Sequence, residues 1–130
     1  MTLPIQNEDI LRLPVRWLAP EIIESRNCSI MSDVWAFGVT LWEIYNFGQT
    51  PYSKLEDEDV LNEVLKGLTL EVPEACPESI KNLMKSCWQF EATKRCTFQE
   101  IHGILENIDH IEQTDGYLRM KPARSTANII

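Results

Sequence analysis

The stretch LPVRWLAPEIIE, residues 13–24, gathers two prolines, an arginine and a tryptophan ahead of a short apolar run that ends in an acid. These residue types suit a turn leading into a helix, and they equally suit one wall of a binding site. Elsewhere the chemistry-bearing residues are dispersed. Cys28, Cys76, Cys87 and Cys96 form no CxxC pair, and His102 and His110 lie far from any cysteine pair, so no metal ligand set is expected. In a chain without a secretory signal, free thiols in a reducing compartment are the expected state. The five glycines stand at 38, 48, 67, 103 and 116 and build no phosphate cradle. No Ser–His–Asp order and no His–Cys pairing suggests a nucleophile. The acids at 56–59 read as a solvated helix start. A net charge of −8, with Lys81, Lys85, Lys94 and Arg95 interleaved with acids, argues against a general nucleic-acid binder.

The elements that must position these residues are helical. A chain of 130 residues, 44% hydrophobic and 25% charged, is one globular domain with a single core. No targeting pattern opens it. Its longest apolar stretch, VWAFGVTLW at 34–42, is too short to span a bilayer. Residues 1–12 are polar and predict a loop. Pro20 fits the first turn of a short helix, where its missing N–H is not needed. Ser29 or Ser32 can cap the next helix, over about 31–46, with Asp33 favouring its positive end. There Val34, Trp35, Phe37, Val39, Leu41, Trp42, Ile44 and Tyr45 point in nearly every direction, which predicts burial on all sides. Gly48 and Pro51 end it. Further helices are expected over 56–67, stopped by Gly67, and from Pro77 to Trp88, with Ile80, Leu83, Met84 and Cys87 on one face. Thr97 and Glu100 make a capping box for a last helix, whose stripe is Phe98, Ile101, Ile104, Leu105 and Ile108. No segment alternates like a strand, so the expected class is mainly α.

Five segments occur in a telling order: LPVRWLAPE (13–21), SDVWAFGVTLWE (32–43), GQTPY (48–52), CPESIKNLMKSCW (76–88) and KRCTFQEI (94–101). Together, over residues 13–108, they resemble the C-terminal lobe of protein tyrosine kinases, the receptor type in particular. DEDVL, CPESIKNLM and CWQF look most like the insulin-receptor branch, while DVWAFGVTLWE and FQEIH look equally like discoidin domain receptors.

The resemblance implies the helical second half of the protein-kinase-like fold, about five helices around one fully buried central helix. It implies a parent that transfers the ATP γ-phosphate to tyrosine in protein substrates, using ATP and Mg²⁺. That parent would be a single-pass plasma-membrane receptor with this chain on the cytoplasmic side. Leu13, Pro14, Val15, Arg16 and Trp17 match the substrate-binding loop. Pro14 resembles the proline that packs on the substrate tyrosine, and with Arg16 and Trp17 it would carry tyrosine specificity. Glu21 matches the Glu of the Ala-Pro-Glu motif, and Arg95 the arginine paired with it. Asp33 matches the aspartate that accepts hydrogen bonds from the catalytic loop. Trp35, Trp42 and Trp88 fall at structural positions. Cys96 departs from the family, which usually has proline there; losing a compatible proline costs a few tenths to about 1 kcal/mol.

Kinase catalysis needs a Gly-rich loop, a strand lysine, an HRD-type loop and a DFG aspartate. Residues 1–130 contain none of these. The expectation is that the N-lobe, catalytic loop and DFG segment lie upstream of Met1, with 1–12 a remnant of the activation-loop region. No catalytic residue and no ATP binding are then expected of this chain alone. The alternative is an inactive truncated kinase serving as a protein-interaction module. Expected partners are tyrosine-containing protein substrates, the missing N-lobe, or a second copy through exposed apolar surface. The tail, 109–130, is expected to be disordered. Within it Tyr117 and Met120 form a Tyr-x-x-Met pattern resembling a docking site for phosphotyrosine-reading domains.

Overall fold

The computed structural model describes residues 7–108, with side-chain exposure from residue 9. The chain forms two compact units that meet between Thr97 and Phe98.

In the first unit a single helical turn, α1 (Asn7–Ile10), interrupts the stretch expected to be irregular, and Ile10 is buried. A 3-10 turn, Val15–Trp17, leads to α2 (Pro20–Ser25), where Pro20 occupies the first turn. Arg26 closes α2 in the left-handed region at φ 58°. The longest helix, α3 (Ile30–Tyr45), is opened by a reciprocal cap. The Ser29 hydroxyl accepts from the Met31 amide at 3.1 Å, and the Ser32 hydroxyl accepts from the Ser29 amide at 3.2 Å. Orphan amides of the first turn are thereby satisfied. α4 (Asp57–Leu65) begins with three acids in its first turn, and α5 (Glu78–Cys87) with Glu78. A second 3-10 turn, Ala92–Lys94, precedes Arg95. The described residues are helical with no strand, as the lack of strand-like alternation predicts.

The core of this unit lies between α3 and α5, while α4 packs against α2 and the Val15–Trp17 turn. Val34, Trp35 and Val39 of α3 meet the side on which Ile80, Leu83, Met84 and Cys87 of α5 are buried, while Val60 and Val64 are the inward positions of α4. Gly38 makes the α3–α5 approach possible. A Cβ there would fall 2.6 Å from Cys87 Cβ and 2.7 Å from Trp88 Nε1. Trp42 Nε1 donates to the Glu71 carbonyl at 2.8 Å, tying α3 to the extended segment after α4.

One expectation needs correction. α3 is central, yet it is not buried all round. Ile30 and Ile44 are each 65% exposed, and Asp33 and Thr40 between them are exposed as well. Positions 30, 33, 40 and 44 share one helix face, since steps of three and four residues return to the same side. The apolar pattern around the axis shows how much surface α3 offers for burial. It does not say whether a neighbour arrives, and Ile30 and Ile44 stay exposed.

In the second unit a helix, α6, occupies residues 98–108, placing Thr97 at its N-cap position. His102 and Glu106 face each other one turn apart on its exposed side, 4.0 Å between Nδ1 and Oε1. Tyr117 and Met120 lie outside the described residues.

Candidate functional site

Residues 13–17 form a ledge held from below. Leu13 and Pro14 are exposed, whereas Val15 is buried and anchors the turn. Arg16 reaches away from the ledge into the loop that precedes α4. Its Nη1 donates to the carbonyls of Pro51 at 2.9 Å and Tyr52 at 2.8 Å, and its Nη2 donates to that of Leu55 at 2.7 Å. Its Nε donates to Asp57 Oδ1 at 3.0 Å. One guanidinium thus gathers residues 51–57 around residues 13–17, as its fixed fork of donors allows. Tyr52, with φ 54°, contributes its carbonyl to the cluster, and burial pushes its phenol up to about 12. Trp17 Nε1 donates to Glu43 Oε1 at 2.9 Å, fastening the same turn to α3.

The other end of the segment is tied more deeply. Arg95 Nη1 and Nη2 donate to Glu21 Oε2 and Oε1, both at 2.8 Å, in a two-pronged pair. Arg95 also donates to the carbonyls of Gln89 at 2.8 Å, Met31 at 2.9 Å and Phe90 at 3.1 Å. All five guanidinium hydrogens are therefore satisfied. The side chain is wholly buried, and its guanidinium lies over the Trp35 ring, 5.1 Å from the centroid. Ser32 Oγ donates to Glu21 Oε2 at 2.8 Å. Burial works to raise the Glu21 carboxyl, but the hydrogen bonds from Arg95 and Ser32, with the arginine's charge, outweigh it. The group sits below its ordinary value of 4.5.

Of the residues singled out in the sequence, the structure brings Glu21, Arg95 and Trp35 into one cluster and Leu13 to Trp17 into one turn. Trp88 lies apart from both, buried against Gly38, and Trp42 bonds the segment after α4. Asp33 stands on the exposed face of α3. Sequence reasoning missed three participants: the Pro51–Leu55 carbonyls, Glu43 and Ser32 as a ligand of Glu21. Carbonyl acceptors leave no side-chain signature, so the first had no signal to find. Glu43 had one, as a lone acid ending a run of apolar residues. Among the described residues no group of three or more potential metal ligands is present.

Two arginine-centred sets of hydrogen bonds thus hold the segment from residue 13 to Glu21 between them. The comparison with known proteins gives it a family. The model of the protein tyrosine and serine/threonine kinase family matches residues 4–105, and the chain belongs to that family. Its relatives are protein tyrosine kinases. It is 44% identical over 97 residues to tyrosine-protein kinase Abl of Drosophila melanogaster, covering 75% of this chain and 6% of that protein. It is 45% identical over 93 residues to the megakaryocyte-associated tyrosine-protein kinase of Mus musculus, covering 72% and 18%. It is 41% identical over 96 residues to the BDNF/NT-3 growth factors receptor of Gallus gallus, covering 74% and 12%. The chain thus spans less than a fifth of the length of these relatives. For the intact enzyme the family implies ATP and Mg²⁺. No helix among the described residues is long and apolar enough to cross a membrane.

Proposed function

We propose that residues 13–108 are the substrate-side half of a protein tyrosine kinase, whose intact form transfers the ATP γ-phosphate to tyrosine in proteins. The observation that carries this reading is the ledge itself. Leu13 and Pro14 offer apolar surface to solvent, while Arg16 and Trp17 are consumed in holding it. An exposed apolar edge held by hydrogen bonds suits an aromatic ring, and positioning is what phosphoryl transfer chiefly asks of the protein. Tyrosine specificity then rests on Pro14, with Arg16 and Trp17 setting its position. Glu21 and Arg95 tie the loop to the base of the lobe, and Asp33 awaits backbone donors of the catalytic loop. Likeness to the BDNF/NT-3 growth factors receptor and to ephrin type-A receptor 7 of Gallus gallus supports a receptor parent, spanning the membrane once with this segment on the cytoplasmic side. The insulin-receptor-like and discoidin-domain-receptor-like branches both fit the motifs. Phosphorylated Tyr117, with Met120, would recruit a phosphotyrosine-reading domain.

A second reading is favoured by the open face of α3, where Ile30 and Ile44 are exposed. Exposed isoleucines on one helix face suit an interaction surface, and the chain would then serve as a non-catalytic binding module, for a missing kinase half or for a second copy. One experiment separates the two. Residues 13–108 replace the matching segment of Abl, and kcat/KM is measured on a tyrosine peptide and its serine counterpart. The first reading expects transfer to tyrosine alone, with Pro14→Ala lowering kcat/KM by about tenfold to a hundredfold. A folded, ATP-binding chimera without transfer supports the second.

A further inference from the structure

The side-chain cluster that neither reading uses is a pair of thiols beside Arg95. Cys87 ends α5 and Cys96 follows Arg95, and their Sγ atoms lie 3.8 Å apart in the interior. The other cysteines are elsewhere: Cys28 is exposed, and the Cys76 thiol donates to the Pro73 carbonyl at 3.3 Å. The chain between the pair is folded back on itself. The Lys94 amide donates to the Glu91 carbonyl at 3.0 Å and the Arg95 amide to that of Ala92 at 3.2 Å. Arg95 then plugs the loop from within through the carbonyls of Gln89 and Phe90. The fold of this loop therefore brings the two cysteines together, with their sulfurs in van der Waals contact.

We propose that Cys87 and Cys96 are a redox-responsive dithiol that closes to an intramolecular disulfide on exposure to a peroxide. A disulfide needs the sulfurs at about 2.05 Å, so they must close by nearly half their present separation. Cys87 cannot supply much of that movement, because its Cβ is packed against Gly38. Rotation and a small shift at Cys96 must supply it. Cys96 is also where oxidation begins, since it is 8% exposed and Cys87 is not exposed at all. Burial, with the adjacent Cys96 sulfur, pushes the Cys87 thiol well up, which disfavours it as the first nucleophile. In the first step the Cys96 sulfur takes an oxygen from hydrogen peroxide, giving a sulfenic acid and one water. In the second the Cys87 sulfur attacks the Cys96 sulfur, the S–O bond breaks, and the hydroxyl leaves with the Cys87 proton as a second water. Peroxide is reduced by two electrons and the two thiols are oxidised by two. The bond would staple the loop that frames Arg95 and thus stiffen the tie to Glu21.

The test oxidises the reduced full chain with hydrogen peroxide, blocks remaining thiols with N-ethylmaleimide, and maps the cross-links by mass spectrometry. The same treatment in concentrated guanidinium chloride gives the pairing of the unfolded chain, in which Cys76–Cys87 closes a loop of similar length. The expected result is a Cys87–Cys96 link that dominates under native conditions, loses that dominance in guanidinium, and is reversed by dithiothreitol. The thermal midpoint should rise on oxidation. That rise should be absent in Cys96→Ser and in Cys96→Pro, each read against its own reduced form. Native and denatured samples with the same mixture of pairings would overturn the proposal. So would sulfinic acid on Cys96 with Cys87 still alkylatable after unfolding.

Discussion

Arg95 and Arg16 each gather several backbone carbonyls and one carboxylate, but they do so in different surroundings. Arg95 has no exposed side-chain surface, and its partner Glu21 is 18% exposed; Arg16 bonds to Asp57, which is 52% exposed. A guanidinium taken fully out of water must find a partner for every hydrogen, and Arg95 does. Arg16 can leave one donor to solvent and still hold its loop. The ledge at Leu13–Trp17 is therefore tied on one side to the dry core and on the other to a loop at the surface. The first tie determines whether the segment is folded, and the second determines where its edge lies.

Arg95→Ala should have the largest effect. It strands the Glu21 carboxylate and the carbonyls of Met31, Gln89 and Phe90, and it empties the space over Trp35. Breaking a buried pair from one side costs about 3–5 kcal/mol, a large part of the stability of a small domain. Denaturant titration should show that loss; an unchanged midpoint would erase the contrast between the two arginines.

Arg16→Ala should cost less, about 1–3 kcal/mol, because water can reach part of what it leaves behind. Its damage should be local. Hydrogen exchange should quicken over residues 51–57 and 13–17 while the centre of α3 keeps its protection. Uniform loss of protection would mean that Arg16, too, supports the whole core.

Asp57→Asn should have the smallest effect, within about 1 kcal/mol, as exposed ion pairs usually do. It also separates the two sites by pH. The Glu21 carboxyl is held below 4.5 in the folded chain. Its contribution is therefore complete above that value and is lost as pH falls through the lower, folded-state pKa. Stability measured against pH should show this acid limb in the parent chain and unchanged in Asp57→Asn. An acid limb that vanished with Asp57 would move the decisive carboxylate to the surface site.

Much of the local structure was legible because it is written in single residues. Pro20 lies in the first turn of α2, Ser29 caps α3, and α6 begins after Thr97. The ends of α4 and α5 fall within two residues of the expected positions, where acids and Gly67 mark them. The site was legible only in part. Resemblance placed Glu21 with Arg95, but the five acceptors around that guanidinium, and the carbonyls around Arg16, are mostly main-chain oxygens that every residue possesses. The separation of Cys87 and Cys96 likewise depends on how the 88–95 loop folds back, which no periodicity encodes.

Helix placement follows from the sequence alone, because caps, prolines and apolar spacing act over one or two turns and carry their signal in adjacent residues. The helical class and the order of the kinase motifs are settled at that level. Tertiary structure decided what lies against what. It placed Trp35 under Arg95, opened one face of α3 and set Gly38 against Cys87. These outcomes depend on which distant segment arrives at a surface and on whether a buried charge finds all its partners, and neither is a property of any local stretch of chain.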